Sequence, residues 1–533
     1  MAGTAIGATA ILGCGGDDKE EASRQETDGE QPQAGGELNF AVADAPPSFD
    51  GHRETTFAML HPLAPHYSTL LRFDQDDFPK VVGDVAESWS TPDPLTATFK
   101  LRDGIRFHDG SPLTSKDVQV TYERIKSPPS GVASARQASY SVIDRIETPD
   151  ASTITFRLKQ PSASILTNLA SPWNFIYKAE LLTQDARWPE KNVMGTGPFR
   201  FVEYVPGSHW VAKRNEDYFL EGRPYLDGYT SIIIRDTAAR VNAVRSGQAL
   251  IEFRGFSPEE RETLQRALGE QLMVQESPWT TNLTITFNTE KKPFADARVR
   301  RALSFALDRW GGSGVLSRIS VMGPVGGMFR PGSEFATPEK DLVKLAGFGK
   351  DAKAGQQEAR QLLKAAGVEN ASFTLKNRNI KEPYEAAAIF AIDQWRQVGI
   401  NATHEPMESA AWLNDLRVGN YEVSVDFSSD FIDEPDIQLL KFTSALASPI
   451  NYGRYNDATL DDLYDRQART TDTQQRLSLL RQFEKRAIDE EAWQFHILWW
   501  QRIVPHWRRV RGWKITSSHY LNQDLRDVWL AAG

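Results

Sequence analysis

The stretch from Phe99 to Ile125, FKLRDGIRFHDGSPLTSKDVQVTYERI, constrains this chain more tightly than any other, because it places two turns and a capped helix within fewer than thirty residues. Phe99 and Leu101 alternate with polar neighbours, the period of a half-buried strand, and Asp103-Gly104 suits a tight hairpin turn. Ile105 and Phe107 continue the alternation, Asp109-Gly110 turns the chain again, and Pro112 keeps the next segment out of a central strand. Thr114 is a good N-cap with Asp117 three residues on, an acidic version of the capping box. Val118, Tyr122 and Ile125 then share one helical face.

The order of these residues resembles the signature of family 5 extracellular solute-binding proteins, the peptide- and nickel-type binding subunits of ABC importers. The positions that carry the resemblance are Phe99, Leu101, Arg102, Gly104, Phe107, His108, Asp109, Gly110, Pro112, Asp117 and Val118. Ala86, Glu87 and Trp89 match a phrase that in the family precedes the strand corresponding to that at Phe99, with Trp89 read as a core residue. Met194-Gly195-Thr196-Gly197-Pro198-Phe199 resembles the family's Gly-Thr-Gly-Pro-Phe passage; with no Gly-Lys-Ser/Thr after it and a strand following, it is read as a domain crossover and not a phosphate loop. Leu283, Ile285 and Phe287 alternate into Asn288, and Pro293-Phe294, Asp296 and Val299-Arg300 lead into a helix with Val299, Ala302, Leu303, Ala306 and Leu307 on one face, again as in the family.

The pattern between Ser231 and Phe253, strand, helix capped by Asp236 and stopped by Gly247, then strand, predicts a βαβ unit with a parallel pair. From Glu358 onward helices and strands alternate as in a separate α/β lobe, and Trp493 to Val504 is an aromatic strand returning toward the first. The resemblance implies an α/β fold of the periplasmic-binding-protein type II kind, two lobes with mixed sheets and an inserted extra domain. Lobe I would comprise residues 36–80, 200–288 and 505–533, the insertion 81–199, and lobe II 289–504.

Composition narrows the function. The formal charge of −10, from 61 basic and 71 acidic residues, offers no global basic field for nucleic acid. Residues 1–14 are read as the end of a truncated lipoprotein signal: Ala5 to Leu12 is apolar and Ile11-Leu12-Gly13-Cys14 looks like a lipobox, although no basic n-region precedes it. The sole cysteine, Cys14, would carry the lipid; the alternative is a stray thiol. Residues 15–35 have too little apolar surface to offset ordering entropy and read as a disordered tether, reaching on the order of 25 Å from an anchor. Location would be extracytoplasmic, at the cell envelope.

No HExxH, CxxC, EF-hand, GxSxG or Walker pattern occurs, so the nine histidines read as structural, and no metal, cofactor or catalytic nucleophile is expected. The alternative function is a secreted carbohydrate-active hydrolase using paired carboxylates, whose separation sequence does not reveal. The stretch SSDFIDEPDIQLL, Ser428 to Leu440, sets acids directly after a strand end, where open α/β sheets place ligands. It is similar to a family segment whose carboxylate receives a peptide's α-ammonium, which implies that role for Asp433 or Asp430, with Glu434 an added residue; the alternative is a solvated acidic turn. Phe431 in the same loop, Phe49 and Asp50 after the first strand, and Trp279 to Asn282 before a lobe crossing complete the expected ligand-binding set. The implied partners are a peptide or related small solute and a membrane permease complex, with membrane contact through the lipid anchor only and the protein a monomer.

Overall fold

A computed structural model describes residues 30–429 and 431–532; Cys14, most of the tether and Asp430 lie outside the described residues. The first strand, β1 (Glu37–Val42), buries Leu38, Phe40 and Val42. A four-stranded antiparallel sheet follows, formed by β2 (Ala86–Asp93), β3 (Thr96–Leu101), β4 (Ile143–Asp150) and β5 (Thr153–Leu158) in the order β2-β3-β5-β4. The helix Ser115–Lys126 lies on it, its start closed by the reciprocal Thr114–Asp117 capping box, and Val118, Tyr122 and Ile125 meet Phe99 and Phe156 in one core. The expected hairpin across Asp103-Gly104 does not extend the sheet. β3 already has β2 on one side and β5 on the other, so no edge is free; residues 105–113 fold on themselves instead, through Phe107 N–H to Ser111 O at 2.8 Å and Leu113 N–H to Ile105 O at 2.9 Å.

The remaining long strands form one ten-stranded sheet: β1 with β6 (Phe199–Val205), β7 (His209–Arg214), β8 (Gly228–Ile233), β9 (Ile251–Glu252), β10 (Leu272–Phe287), β11 (Ser372–Arg378), β12 (Asn401–Met407), β13 (Val423–Ser429) and β14 (Gln494–Trp507). Its order is β12-β11-β13-β10-β14-β9-β1-β8-β7-β6. β8 and β9 are parallel, as the βαβ pattern predicts, but they are not neighbours: β1 lies between them and pairs with both. A sequence window of twenty residues holds no information about a strand two hundred residues upstream that takes the central place.

Two antiparallel strands, β10 and β14, are long enough to belong to both halves of the sheet. One core gathers around β1, with Leu38, Phe40, Trp210, Tyr229 and Phe253; the other gathers around β10 and β13, with Leu283, Ile285, Phe287, Trp395, Val425 and Phe495. Between the cores the β10–β14 register breaks: Pro278 pairs with Gln501, but the next pair is Asn282 with Trp499. Three residues of β10 therefore oppose Trp500 alone, a bulge that loosens the ladder where the halves meet.

The His108 motif and the Gly-Thr-Gly-Pro-Phe passage form a single joint. His108 N–H bonds to Gly195 O at 2.9 Å, its Nε2 lies 3.0 Å from Gly197 O, and Gly197 N–H bonds to His66 O at 3.0 Å. A Cβ on Gly197 would stand 2.4 Å from the His66 carbonyl carbon and 2.5 Å from Pro65 O, both backbone atoms that cannot swing aside. Gly197→Ala is therefore expected to lower the unfolding free energy by about 1 to 3 kcal/mol in urea titration. Gly314→Ala, in a helix with open space around the new methyl group, should instead be neutral or stabilising by up to about 1 kcal/mol; equal effects of the two would contradict the packing argument.

Candidate functional site

Parallel strands end where ligands bind in open α/β sheets, and in the second half β11, β12 and β13 all run the same way. Their carboxyl ends open into a cavity of about 450 Å³ lined by Arg378 from β11, Asp426 to Ser428 from β13, Ser409, Ala410, Trp412 and Leu413 from the helix after β12, and Ile437, Gln438, Lys441, Ile450 and Tyr452. Alternation along SFTLKNR buries Phe373, Leu375 and Asn377 and leaves Arg378 to leave the sheet at its end. Its guanidinium bonds to Ser409 Oγ at 2.9 Å and Tyr384 Oη at 3.0 Å and lies 4.9, 5.6 and 5.9 Å from the rings of Tyr384, Phe427 and Trp412. Asp426 is neutralised by Lys441, whose ammonium also bonds to Phe427 O. Arg378 has no carboxylate within 4 Å among the described residues. The cavity thus has aromatic and aliphatic walls, one neutralised ion pair and one unneutralised cation, the composition of a site for a small solute with an anionic end.

An aromatic path runs from this cavity across the bulge. Tyr384 meets Trp500 edge-on at 6.1 Å, Trp500 meets Trp279 at 5.5 Å, and Trp279 donates its indole N–H to His519 Nδ1 at 3.1 Å. Burial raises the Tyr384 hydroxyl above its ordinary value, while Arg378 from one half and Arg254 from the other oppose the shift.

The residues expected from sequence fall into separate groups. Trp279 lies in the bulge between the halves and Asn282 closes it, and Thr281 pairs with Ser429, which brings the start of the acidic loop beside them. Asn282 accepts a bond from Thr284 Oγ1 at 3.0 Å. Asp433 is buried in a forked pair with Arg330, with Nε at 3.1 and 2.9 Å and Nη2 at 2.7 Å; burial pushes its carboxyl up while Arg330 holds it down. Glu434 and Asp436 both bind Arg476. Phe431 packs with Ile432 and Ile437 on the core of the inserted sheet, and Asp436 accepts from Ser164 Oγ at 2.5 Å, so the acidic loop closes on the insertion. Ala163 N–H to Ala468 O at 2.9 Å adds a second bond across that seam. Asp50 lies elsewhere, buried against Arg124 at 3.1 and 2.5 Å and Tyr177 Oη at 3.2 Å; hydrogen bonding and charge from Arg124 and His52 keep it ionised against the cost of burial. Phe49 packs edge-on against Tyr204 and Trp210.

Sequence reasoning did not single out Arg378, Arg330, Arg254, Tyr384 or Trp412. The one signal available was Arg378 as the last residue of an alternating strand. No group of three or more His, Cys, Asp or Glu suited to a metal occurs among the described residues.

A family model described as bacterial extracellular solute-binding proteins, family 5, matches residues 80–448. The chain belongs to this family. The oligopeptide-binding protein AppA of Bacillus subtilis is 25% identical over 511 residues, 91% of this chain and 90% of AppA. A Brucella ovis protein bearing the name of an ABC transporter peptide-binding protein is 32% identical over 314 residues, 57% of this chain; the match spans 55%, about half, of that relative's length. Among solved structures, the periplasmic binding protein DppA of Helicobacter pylori in complex with the peptide STSA superimposes with a TM-score of 0.76 at 25% identity, over 93% of this chain and 98% of that one. The fold is thus the two-lobed type II arrangement of family 5 proteins, with the two halves of the sheet as its lobes; the strand-end cavity is lined by residues of the second half and the bulge lies where the halves join. Family 5 proteins are extracytoplasmic binding proteins, and no helix among the described residues is long and apolar enough to cross a membrane.

In this family 5 chain His61 and His66 are buried and held neutral. Burial depresses His61 to about 3, with Arg502 and Arg254 adding to the effect, and depresses His66 to about 3, where it sits between Phe199 O and the Trp210 indole. Unfolded histidines titrate near about 6.5, so between pH 6.5 and 3 the unfolded chain binds more protons than the folded one. Their contribution to stability is complete above pH 6.5 and is lost as pH falls toward 3. Urea unfolding of the parent and of His66→Gln at stepped pH should show a shallower acid decline in the variant, by at most about 1.4 kcal/mol per pH unit; identical slopes would contradict neutral burial.

Proposed function

We propose that the chain is the substrate-binding component of an ABC importer that captures peptides, or a related small solute, by closure of its lobes and delivers them to a membrane permease. The observation that carries this reading is Arg378, an unneutralised guanidinium held over three rings in the strand-end cavity, placed to take a ligand carboxylate. Relatives and solved neighbours named for peptide binding support peptides as the solute. Asp433 has its charge satisfied by Arg330, so the ammonium-receiving role is assigned to Asp430, on its sequence position after Ser429. Trp279 and Asn282 at the bulge and Phe431 beside the acidic loop would border the ligand, while Asp50 and Phe49 would support the wall.

Closure follows from the topology. The lobes are joined by β10 and β14 around a bulge, and the acidic loop of one meets the insertion of the other through Asp436 and Ser164. A ligand touching both lobes favours the closed population, which the permease would read. Lobe I is taken as residues 36–80, 200–288 and 505–533, the insertion as 81–199 and lobe II as 289–504. The protein would act as a monomer, by binding without turnover.

Two outcomes test the reading. Calorimetry with a short peptide library should give saturable one-to-one binding, and Arg378→Gln should weaken peptides with a free carboxyl terminus by roughly 10- to 100-fold, a loss of about 1.5 to 3 kcal/mol, while C-terminally amidated peptides lose little. An equal loss for both forms would remove Arg378 from the site. For the anchor, Cys14→Ser should move the protein from the membrane fraction to the soluble fraction; unchanged fractionation would rule out lipidation at Cys14.

A further inference from the structure

Lobe I carries a second unneutralised cation at the other end of the aromatic path that leaves the strand-end cavity, and its charge is felt at Tyr384. β9, parallel to β1, ends at Glu252, and Arg254 leaves the sheet just beyond that carboxyl end, as Arg378 does at the end of β11 in lobe II. Its position is fixed: Gly255 (φ +116°) lies so close to β14 that a Cβ would stand 2.6 Å from Ile503 O, and Phe256 N–H bonds to that same oxygen at 2.8 Å. The Arg254 guanidinium carbon is 5.1 Å from the Phe57 ring centre and 5.7 Å from that of Trp279. Phe57, Arg254, Trp279, Trp500, Tyr384 and Arg378 thus form a continuous ladder of rings and guanidinium groups across the bulge.

The charges around Arg254 do not cancel. Among the described residues no carboxylate comes within 4 Å of its guanidinium; Glu252 accepts from the backbone N–H groups of Arg254 and Gly255, at 3.2 and 2.9 Å. Arg502, fully buried behind it, bonds to backbone carbonyls, including those of Arg254, Thr516 and Ser518. His61 and His519 are neutral in this positive field. Two donors on the ladder, Arg254 Nε–H and the Trp500 indole N–H, are buried without an acceptor among the described residues. Buried donors without acceptors are costly, and an acceptor-rich group entering the cleft would satisfy them.

We propose that the natural ligand is at least dianionic, with one carboxylate at Arg378 and a second anionic group, such as an acidic side chain, at Arg254. The proposal rests on the reading of the cleft as a solute-binding site and adds the chemical class of the solute. On that reading a peptide with Glu or Asp at one fixed position is favoured over its amide counterpart, because the neutral amide leaves Arg254 uncompensated as the lobes exclude water.

The test is calorimetry on the full chain with matched tripeptides carrying Glu or Gln at each position in turn. The Glu member at one position should bind at least about tenfold more tightly than its Gln partner. Arg254→Gln should bring that ratio close to one, while Arg235→Gln, an exposed cation paired with Asp44, should keep it. A ratio retained in Arg254→Gln, or no Glu preference at any position in the parent, overturns the proposal. If no peptide binds the parent, the peptide reading fails by itself, and the anion site is read with succinate, glutarate and adipate in thermal-shift assays. Stabilisation of the parent that is lost in both Arg254→Gln and Arg378→Gln upholds the dianion site, and no stabilisation by any of the three overturns it.

Discussion

The pairing of β10 with β14 is the constraint on which everything else in this molecule depends. Among the described strands these two run through both lobes, and their ladder is regular at each end and broken at its centre, where residues 279–281 oppose Trp500. Regular ends tie each strand firmly into a lobe core; the break leaves a short stretch with fewer shared hydrogen bonds, where bending disturbs the least. Aromatic packing of Trp279 and Trp500 fills the space that the missing ladder bonds leave. On the proposed reading, a hinge at this bulge would bend while both strands stay continuous from one lobe to the other.

Local order was legible in the sequence wherever a motif is short and self-contained. The Thr114 capping box, the helix stop at Gly247 and the apolar face of Val299, Ala302 and Leu303 depend on neighbours within a few residues and are present, whereas the helix ends at Phe305, so Ala306 and Leu307 join the same core from just beyond it. The fold class was legible for another reason: the Phe99–Val118 and Pro293–Leu303 patterns each specify a joint between elements. The contacts around His108 explain why such a pattern is distinctive, since that residue holds the Gly195–Gly197 passage almost ninety residues away. What sequence could not show is long-range order. β1 enters between β8 and β9, and residues 105–113 turn back because β3 is already flanked; both are decided by which strand occupies an edge, a property of the assembled sheet.

The candidate site was only half legible, for an electrostatic reason. A run of acids after a strand attracts notice because charge clusters are expensive, but sequence cannot say which charges are already compensated. In the structure Asp433 faces Arg330, and Glu434 and Asp436 share Arg476. The compensating arginines lie about a hundred residues before the loop and forty after it. Asp426 is likewise matched by Lys441. Asp433 thus has its charge compensated and Glu434 and Asp436 share one cation, while the apolar residues Ile432 and Ile437 of the same loop pack on the core of the inserted sheet. Breaking one of its buried pairs would cost more than the pair contributes, since it would leave an uncompensated charge inside the seam.

The converse holds for the residues that sequence passed over. Single arginines at strand ends are common and attract no attention, yet among the described residues neither Arg254 nor Arg378 has a carboxylate within 4 Å, in a chain whose overall charge is −10. Net charge and local field are separate quantities: at the ionic strength of a cell, charges more than about 8 Å away through solvent are largely screened. A solute in the cleft would therefore meet the cations on the aromatic ladder far more strongly than the acidic outer surface. Each guanidinium rests on rings, which stabilise a cation without neutralising it, so its attraction for an anion is kept. Solvent access makes these charges tolerable while the lobes are apart. As the lobes approach, the loss of that solvent raises the cost of leaving them bare, and a bound anion removes the cost. Closure and anion recognition are then one energetic event, with the β10–β14 bulge supplying the motion and the two arginines supplying the selectivity.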